Sequence, residues 1–382
     1  MPNQGALKGI SILDLSRLLP GPYASMILAD HGARVISVED KRFLADGLFM
    51  TTVNRNKEHV SLNLKTEAGR EIFFKLAERS DVVMEGFRPG VVDRLGVGYE
   101  AVRQVRPDVI YCSITGYGQD GPFRDRAGHD VNYLSQAGVL GLIGEADRPP
   151  SIPGIQIADM VGGGLNAVIG ILLALHHRSQ TGQGQYIDIS MTDGSVALLP
   201  FAQFWRDLTG KEPQRGDTLL SHRYACYNTY QTADGRHLSI GAVENRFWKN
   251  LCDHFGVPEF TPLQYDDSRR REIIAFFRER FKTKTLDQWT EELGPLDVCF
   301  GRIQSFDEVF DDPLFIARQM VVDLPSPDGR PGKALGVPVK LSASPGAVRT
   351  PAAAFGASTR AVLAELGYSP ADIDRLAAEE VI

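Results

Sequence analysis

Cysteine is scarce in this chain, and its placement excludes a good deal. The four cysteines among 382 residues are Cys112, Cys226, Cys252 and Cys299. No two of them form a CxxC pair or another zinc-ligand spacing. They are expected to be reduced packing residues of a cytoplasmic protein, not a disulfide framework. HExxH is missing, and the adjacent His176 and His177 would point different ways from one helix, so no metal site is expected. An excess of positive charge is missing too: the net charge is −7, which argues against a nucleic-acid partner. The first residues lack the charged-then-apolar layout of a secretory signal. The most apolar stretch, Met160 to Leu175, is interrupted by Gly162, Gly163, Gly164 and Asn166. It reads as too short to span a bilayer, so a buried helix and no membrane partner are expected.

What is present is an alternation of short apolar runs and amphipathic stretches. Strands are predicted over Ile10–Leu15, Ala33–Glu39, Val60–Leu64, Asp81–Met84, Asp108–Ile114 and Tyr186–Ser190. Helices are predicted from Pro22 to His31, over Glu67–Glu78 and Val92–Val105, and from Asp159 to His177. Strand, helix, strand in this order predicts an α/β fold with a doubly wound parallel sheet, whose ligands bind beyond the carboxyl ends of the strands. After a helical and then polar stretch, Tyr227–Thr232 and His237–Ala242 flank the hairpin signal Ala233-Asp234-Gly235. Helical stretches follow over Arg246–Phe255, Arg269–Phe281 and Thr285–Leu293, as in a smaller α+β domain. A proline-rich run from Pro325 to Pro351 reads as a linker, and helices over Thr359–Leu366 and Ala371–Glu380 close the chain.

Several loops look like ligand sites and are better explained otherwise. The first strand is followed by Leu19-Pro20-Gly21-Pro22, which lacks GxGxxG and argues against a nicotinamide dehydrogenase. Thr181-Gly182-Gln183-Gly184-Gln185 runs from helix to strand, the reverse of a phosphate-binding P-loop. Asp40-Lys41-Arg42, after the second strand, suits a phosphate or a solvated strand end equally well.

The best sign of chemistry is His129 followed thirty residues later by Asp159. Imidazole and carboxylate are suited to moving a proton near neutral pH. A carboxylate where a glycine-rich helix begins would also sit beside free backbone N–H groups able to hold a developing negative charge. Taken singly, His129 fits a structural histidine and Asp159 a helix N-cap. The glycines behind Asp159 are poor helix formers and call for close approach by backbone or ligand.

These residues lie in segments that carry a resemblance. LPGPYASMILADHGARVISVE, NRNKEHVSLNLK, EGFRPGVVDRLGVGYE, TGYGQDGPFRDRAGHDVNYL, ADMVGGG, TGQGQYIDISM, YQTADGR and TRAVLAELGYSPADIDRL occur in order along nearly the whole chain. The chain resembles the family of class III coenzyme A transferases and α-methylacyl-CoA racemases. The resemblance implies a large α/β domain formed by both chain ends (1–200 and 351–382), linkers at 201–224 and 321–350, and a small α+β domain at 225–320. It also implies an interlocked homodimer, an acyl-CoA thioester as substrate, and no permanently bound cofactor beyond coenzyme A itself.

Within the family, GHDVNYL resembles the racemase branch. That resemblance makes His129 and Asp159 the two bases flanking the α-carbon of a 2-methylacyl-CoA, and Glu244 the group that supports the histidine. It assigns coenzyme A or substrate contacts to Lys41, Arg42, Leu62, Asn63, Leu64, Lys65, Arg94, Gly128, Asp130, Val131, Asn132 and Tyr133. Asp40 stands where the family usually has arginine, so the phosphate contact is expected to pass to Lys41 or Arg42. In the transferase branch the residue at Asp159 instead attacks the donor thioester. Absence of a GGGG loop and of a tyrosine at position 129 favours racemisation. Leu219-Leu220-Ser221-His222-Arg223-Tyr224-Ala225-Cys226-Tyr227 departs from the LDGGAPFY of racemases. Racemisation of 2-methylacyl-CoA is the expected activity, transfer of CoA between carboxylic acids the alternative, and a non-catalytic subunit a third reading.

Overall fold

The strands form because their residues are apolar and β-branched on both faces, as a sheet covered by helices on each side requires. All residues of β4 (Val82–Glu85) and β5 (Ile110–Thr115) are buried. In this computed structural model, which describes residues 4–42, 49–326 and 328–382, they belong to a six-stranded sheet. The others are β1 (Ser11–Asp14), β2 (Arg34–Glu39), β3 (Glu58–Ser61) and β6 (Tyr186–Ser190). The order is β3-β2-β1-β4-β5-β6 and every pairing is parallel. The chain winds outward from β1 to β3, then returns to β4 on the far side of β1. The loops after β1 and β4 therefore diverge and leave a crevice at the carboxyl edge.

Two compact units are present: Met1–Ala137, Gly154–Ala197 and Phe310–Ile382 in the first, Gly138–Pro153 and Leu198–Val309 in the second. Gly138–Pro153, expected in the large domain, belongs to the second unit. Arg215 explains this, since its guanidinium donates to the carbonyls of Gly141, Glu145 and Arg148 at 3.2, 3.0 and 2.6 Å. The expected linker over 321–350 contains an antiparallel pair, Val321–Asp323 with Lys333–Leu335. It is tied to the first unit by Arg55, which bonds the Leu335 carbonyl and forms a buried 2.6 Å ion pair with Asp30.

In the first unit α1 (Pro20–Asp30) begins on a proline and α2 (Glu67–Glu78) is capped by Thr66, whose Oγ1 accepts from Gly69 N–H at 3.0 Å. Ile72, Phe73, Leu76 and Ala77 form the buried stripe of α2, where each large side chain contributes about 2 kcal/mol. The helix expected over 92–105 is two helices, α3 (Val91–Leu95) and α4 (Tyr99–Val105). Gly96, at φ 76°, turns the chain left-handed between them.

GHDVNYL folds into α5 (Asp130–Gln136). A π-helical turn over Ala158–Leu165 then runs directly into α6 (Asn166–Thr181). The combined helix of 24 residues is long and apolar enough to cross a membrane, which corrects the expectation drawn from Met160 to Leu175. Ala167, Val168, Ile171 and Ala174 are nevertheless buried, and α6 packs on α1, β5 and β6 as a core helix does. Its other side leaves Ile169 and Leu173 exposed. α7 (Met191–Val196) follows β6 and packs on the π turn.

The second unit carries an antiparallel sheet of Tyr227–Gln231, His237–Gly241 and Phe300–Arg302. Around it lie helices Asn245–His254, Arg270–Phe281 and Leu286–Leu293. Trp248, Phe277, Phe281, Trp289 and Tyr230 fill its core. Both indole N–H groups are satisfied, by the carbonyls of Phe260 at 3.0 Å and Phe281 at 2.8 Å.

Candidate active site

Three loops at the carboxyl edge of the sheet enclose a recess of about 430 Å³. The loop after β1 supplies Arg17, Leu18 and Pro20, the loop after β4 supplies Gly86–Pro89, and the chain from Thr115 to Tyr133 supplies the far wall. Each loop is braced from below. Asp14 accepts from Ser16 N–H at 2.8 Å and also bonds the Ser16 and Ser25 hydroxyls. Lys57, with no exposure, lies 3.9 Å from Asp14 and donates to the Pro22 carbonyl at 2.8 Å. Burial, opposed by nearby carboxylates, lowers its ammonium to about 8. Leu18 is held at φ 66°, an unusual conformation for a branched side chain. Glu85, pushed up to about 7 by burial, accepts from Phe87 N–H at 2.7 Å and fixes the second loop.

The third wall depends on two missing side chains. A Cβ at Gly116 would lie 2.4 Å from the Tyr133 ring, and one at Gly128 would lie 2.7 Å from it. Only glycine lets this ring close over both loops. Tyr133 donates to the Gly128 carbonyl at 2.5 Å and packs edge-on against Tyr117. Burial and the Asp159 charge push its phenol up to about 12.

His129 and Asp159 both line this recess. His129 is the extended N-cap of α5, its N–H donating to Asn132 Oδ1 at 3.0 Å. That contact is the returning half of a capping box at the start of α5. Asp159 is half-buried in the π turn, where burial and the Asp130 charge raise its carboxyl to about 6 against the pull of His129. The His129 charge therefore reaches the Asp159 carboxyl. A carboxyl poised there exchanges protons readily near neutral pH.

The glycines behind Asp159 answer to packing. A Cβ at Gly162 would sit 2.5 Å from the Met191 carbonyl oxygen, and one at Gly164 2.8 Å from the Tyr23 ring. The free N–H groups expected beside Asp159 are already engaged. Asp159 N–H donates to Asp130 at 3.0 Å and Met160 N–H to the Gln156 carbonyl at 2.9 Å.

The remaining expected contacts are spread more widely. Gly128, Asn132 and Tyr133 line the recess, and Asp130 turns inward to Asp159. Val131 is partly buried on α5. Leu62 and Leu64 lie in the hydrophobic core, and Asn63 is bonded through its backbone N–H to Val381 at 2.8 Å. Lys41 donates to the Ile382 carbonyl, and Arg42 is paired with Asp40. Lys65 exerts its charge on Asp40. Arg94 and Arg124 converge at Gly90, where an added Cβ would lie 3.3 and 3.6 Å from their guanidinium nitrogens. Glu244 belongs to the second unit, as the residue preceding helix Asn245–His254.

Sequence reasoning missed four arginines in the recess wall, Arg17, Arg88, Arg124 and Arg126. The signal for Arg17 and Arg88 was their position after β1 and β4, legible only once the strand order is known. A smaller recess of about 60 Å³ between β1 and β2 is walled by Phe49, Phe355 and Leu18. Ser37 Oγ and Glu39 Oε2, in its lining, are buried without a hydrogen-bond partner among the described residues. Both would accept hydrogen bonds from a flat, donor-bearing group.

The sequence model of CoA-transferase family III matches residues 7–359. The chain is 35% identical over 380 residues to the α-methylacyl-CoA racemase of Homo sapiens, covering 99% of this chain and 97% of that one. It is 32% identical to the succinyl-CoA–D-citramalate CoA-transferase of Chloroflexus aurantiacus, covering 98% of each. Among solved structures, a CaiB/BaiF family protein from Brucella suis superposes with a TM-score of 0.84 at 31% identity, covering 95% of this chain and all of that one.

Proposed function

From the premise that this chain belongs to CoA-transferase family III, a family of enzymes holding both racemases and CoA-transferases, we propose that it interconverts the stereoisomers of a 2-methylacyl-CoA. The observation that carries this reading is the pairing of His129 with a raised Asp159 carboxyl in one recess. One of the two removes the α-proton, which the thioester carbonyl acidifies. The enolate then takes a proton from the other on the opposite face. Racemisation needs both groups able to exchange protons near neutral pH, and a carboxyl raised to about 6 meets that need.

The recess suits coenzyme A. Arg88 and Arg124 line the recess and Arg94 approaches Arg124 at Gly90, so guanidinium groups there would hold the diphosphate. Lys41 and Arg42 are engaged within the protein and would have to exchange partners to meet a phosphate.

Transfer of CoA between carboxylic acids is the second reading, favoured by the transferase relative that spans the whole chain. There Asp159 attacks the thioester as a nucleophile and the histidine has no proton to move. We also propose a homodimer, supported by the exposed apolar residues Leu165, Ile169, Leu172 and Leu173 along one helix. A cytoplasmic location and the lack of a permanent cofactor belong to the same proposal. α-Deuterium incorporation into a 2-methylacyl-CoA in deuterated water, with no acceptor acid, tests racemisation. CoA appearing on an added carboxylate without any exchange would replace it with transfer.

A further inference from the structure

Asp130 was expected to touch the ligand, yet it is 9% exposed and its Oδ2 accepts the Asp159 N–H at 3.0 Å. A carboxylate at the first position of a helix is stabilised by the helix dipole while remaining in solvent. This one is drawn inward to a residue 29 positions along the chain. It occupies the N–H at the start of the π turn, so the backbone beside the reactive carboxyl is held by a negative group. The Asp130 charge, added to burial, opposes ionisation of the Asp159 carboxyl.

We propose that Asp130 is a positioning residue for Asp159: from α5 its carboxylate clamps the Asp159 main chain and stands as a negative charge beside the reacting carboxyl. The inference rests on Asp159 being the reacting carboxyl.

The surroundings leave Asp130 as the charge able to do this. The π turn packs against α1, α5, α6, α7 and β6. These elements bring Tyr23 from α1, Asp130 and Tyr133 from α5 with His129 at its N-cap, Asp193 from α7 and Asp188 from β6. The recess wall adds Arg17, Arg88, Arg124, Arg126 and Tyr117. Asp130 and His129 are the two whose charges bear on the Asp159 carboxyl, in opposite directions. Removing the Asp130 charge while keeping an acceptor should therefore make Asp159 a stronger acid with its backbone still in place.

The test combines a titration with kinetics on the full-length protein. Carboxyl-labelled aspartate is followed by carbon NMR, with Asp159→Asn assigning the resonance. In wild type the Asp159 midpoint should lie near 6, and in Asp130→Asn it should fall by about one pH unit. The pH–rate limb governed by Asp159 should move with it, while KM changes less than about threefold, since a residue off the ligand contributes little binding. Asp130→Ala should show the same fall in midpoint and a further loss in kcat of about tenfold, because the backbone clamp goes too. A wild-type midpoint at the ordinary aspartate value overturns the proposal without any variant. So does an unmoved midpoint in Asp130→Asn, or a raised KM at unchanged kcat, which would put Asp130 on the ligand. The titration needs no substrate, so a protein inactive on every thioester would sink the functional reading and leave this one separately decided.

Discussion

At the scale of single residues, Asp159 is a group whose environment opposes its charge. Its folded value of about 6 lies above the ordinary 3.8. The unfolded chain therefore releases this proton first as pH rises, and folding becomes less favourable from about pH 4 until the folded carboxyl ionises near 6. Above that the cost is constant, roughly 1–2 kcal/mol once its partial contact with water is discounted. Asp159→Asn should unfold at higher denaturant concentration than wild type at pH 7.5, with the difference vanishing near pH 4. Activity should fall at least about 1000-fold, since the proton or acyl acceptor is lost. A variant no more stable than wild type at pH 7.5 would mean that the carboxyl is not raised. His129→Gln divides the two chemistries: α-proton exchange should drop by about 100-fold or more, whereas CoA transfer should survive. His129 and Asp159 are legible in the sequence because their chemistry is intrinsic to the side chain. Arg88 and Arg124 are not legible as site residues, and Asp130 is legible only as a ligand contact, because what they meet is set by α5, the π turn and the loop after β4.

At the scale of elements, the glycines of the π turn and the buried brace beneath the loops matter most. Gly162→Ala would place a methyl 2.5 Å from the Met191 carbonyl oxygen, which belongs to backbone and cannot swing aside. A loss of about 1–3 kcal/mol is expected in urea unfolding, with a disturbed Asp159. An unchanged midpoint would show that α7 yields. Lys57→Met should cost about 3–5 kcal/mol, because Asp14 is left buried without a cation. A hydrophobic replacement tolerated without loss would show that Asp14 takes up a proton instead. The sheet strands were readable from apolar runs punctuated by turns, and α2 from its stripe and cap. The break at Gly96 and the hairpin of Val321–Asp323 with Lys333–Leu335 were not. The first depends on one left-handed φ within an amphipathic stretch, the second on Arg55 and Asp30 nearly three hundred residues away. The clamp of Arg215 on Gly138–Pro153 is likewise non-local, with its nearest carbonyl partner 67 residues away.

At the scale of the whole molecule, several large apolar side chains remain open to solvent. Ile155, Ile169 and Leu173 are each more than half exposed in the first unit, as are Phe204 and Leu208 in the second. Surface of this kind is covered in obligate assemblies. Sedimentation at micromolar concentration should give a dimer that persists on dilution, and a fully active monomer would refute the homodimer. On the proposed mechanism, His129 and Asp159 move a proton on and off an α-carbon. The most direct measurement incubates one stereoisomer of a 2-methylacyl-CoA with the protein in deuterated water and no acceptor acid. Racemisation predicts α-deuterium in both stereoisomers, abolished in Asp159→Asn and strongly reduced in His129→Gln. A thioester recovered with its α-hydrogen and configuration intact, while CoA passes to an added carboxylate, would contradict it.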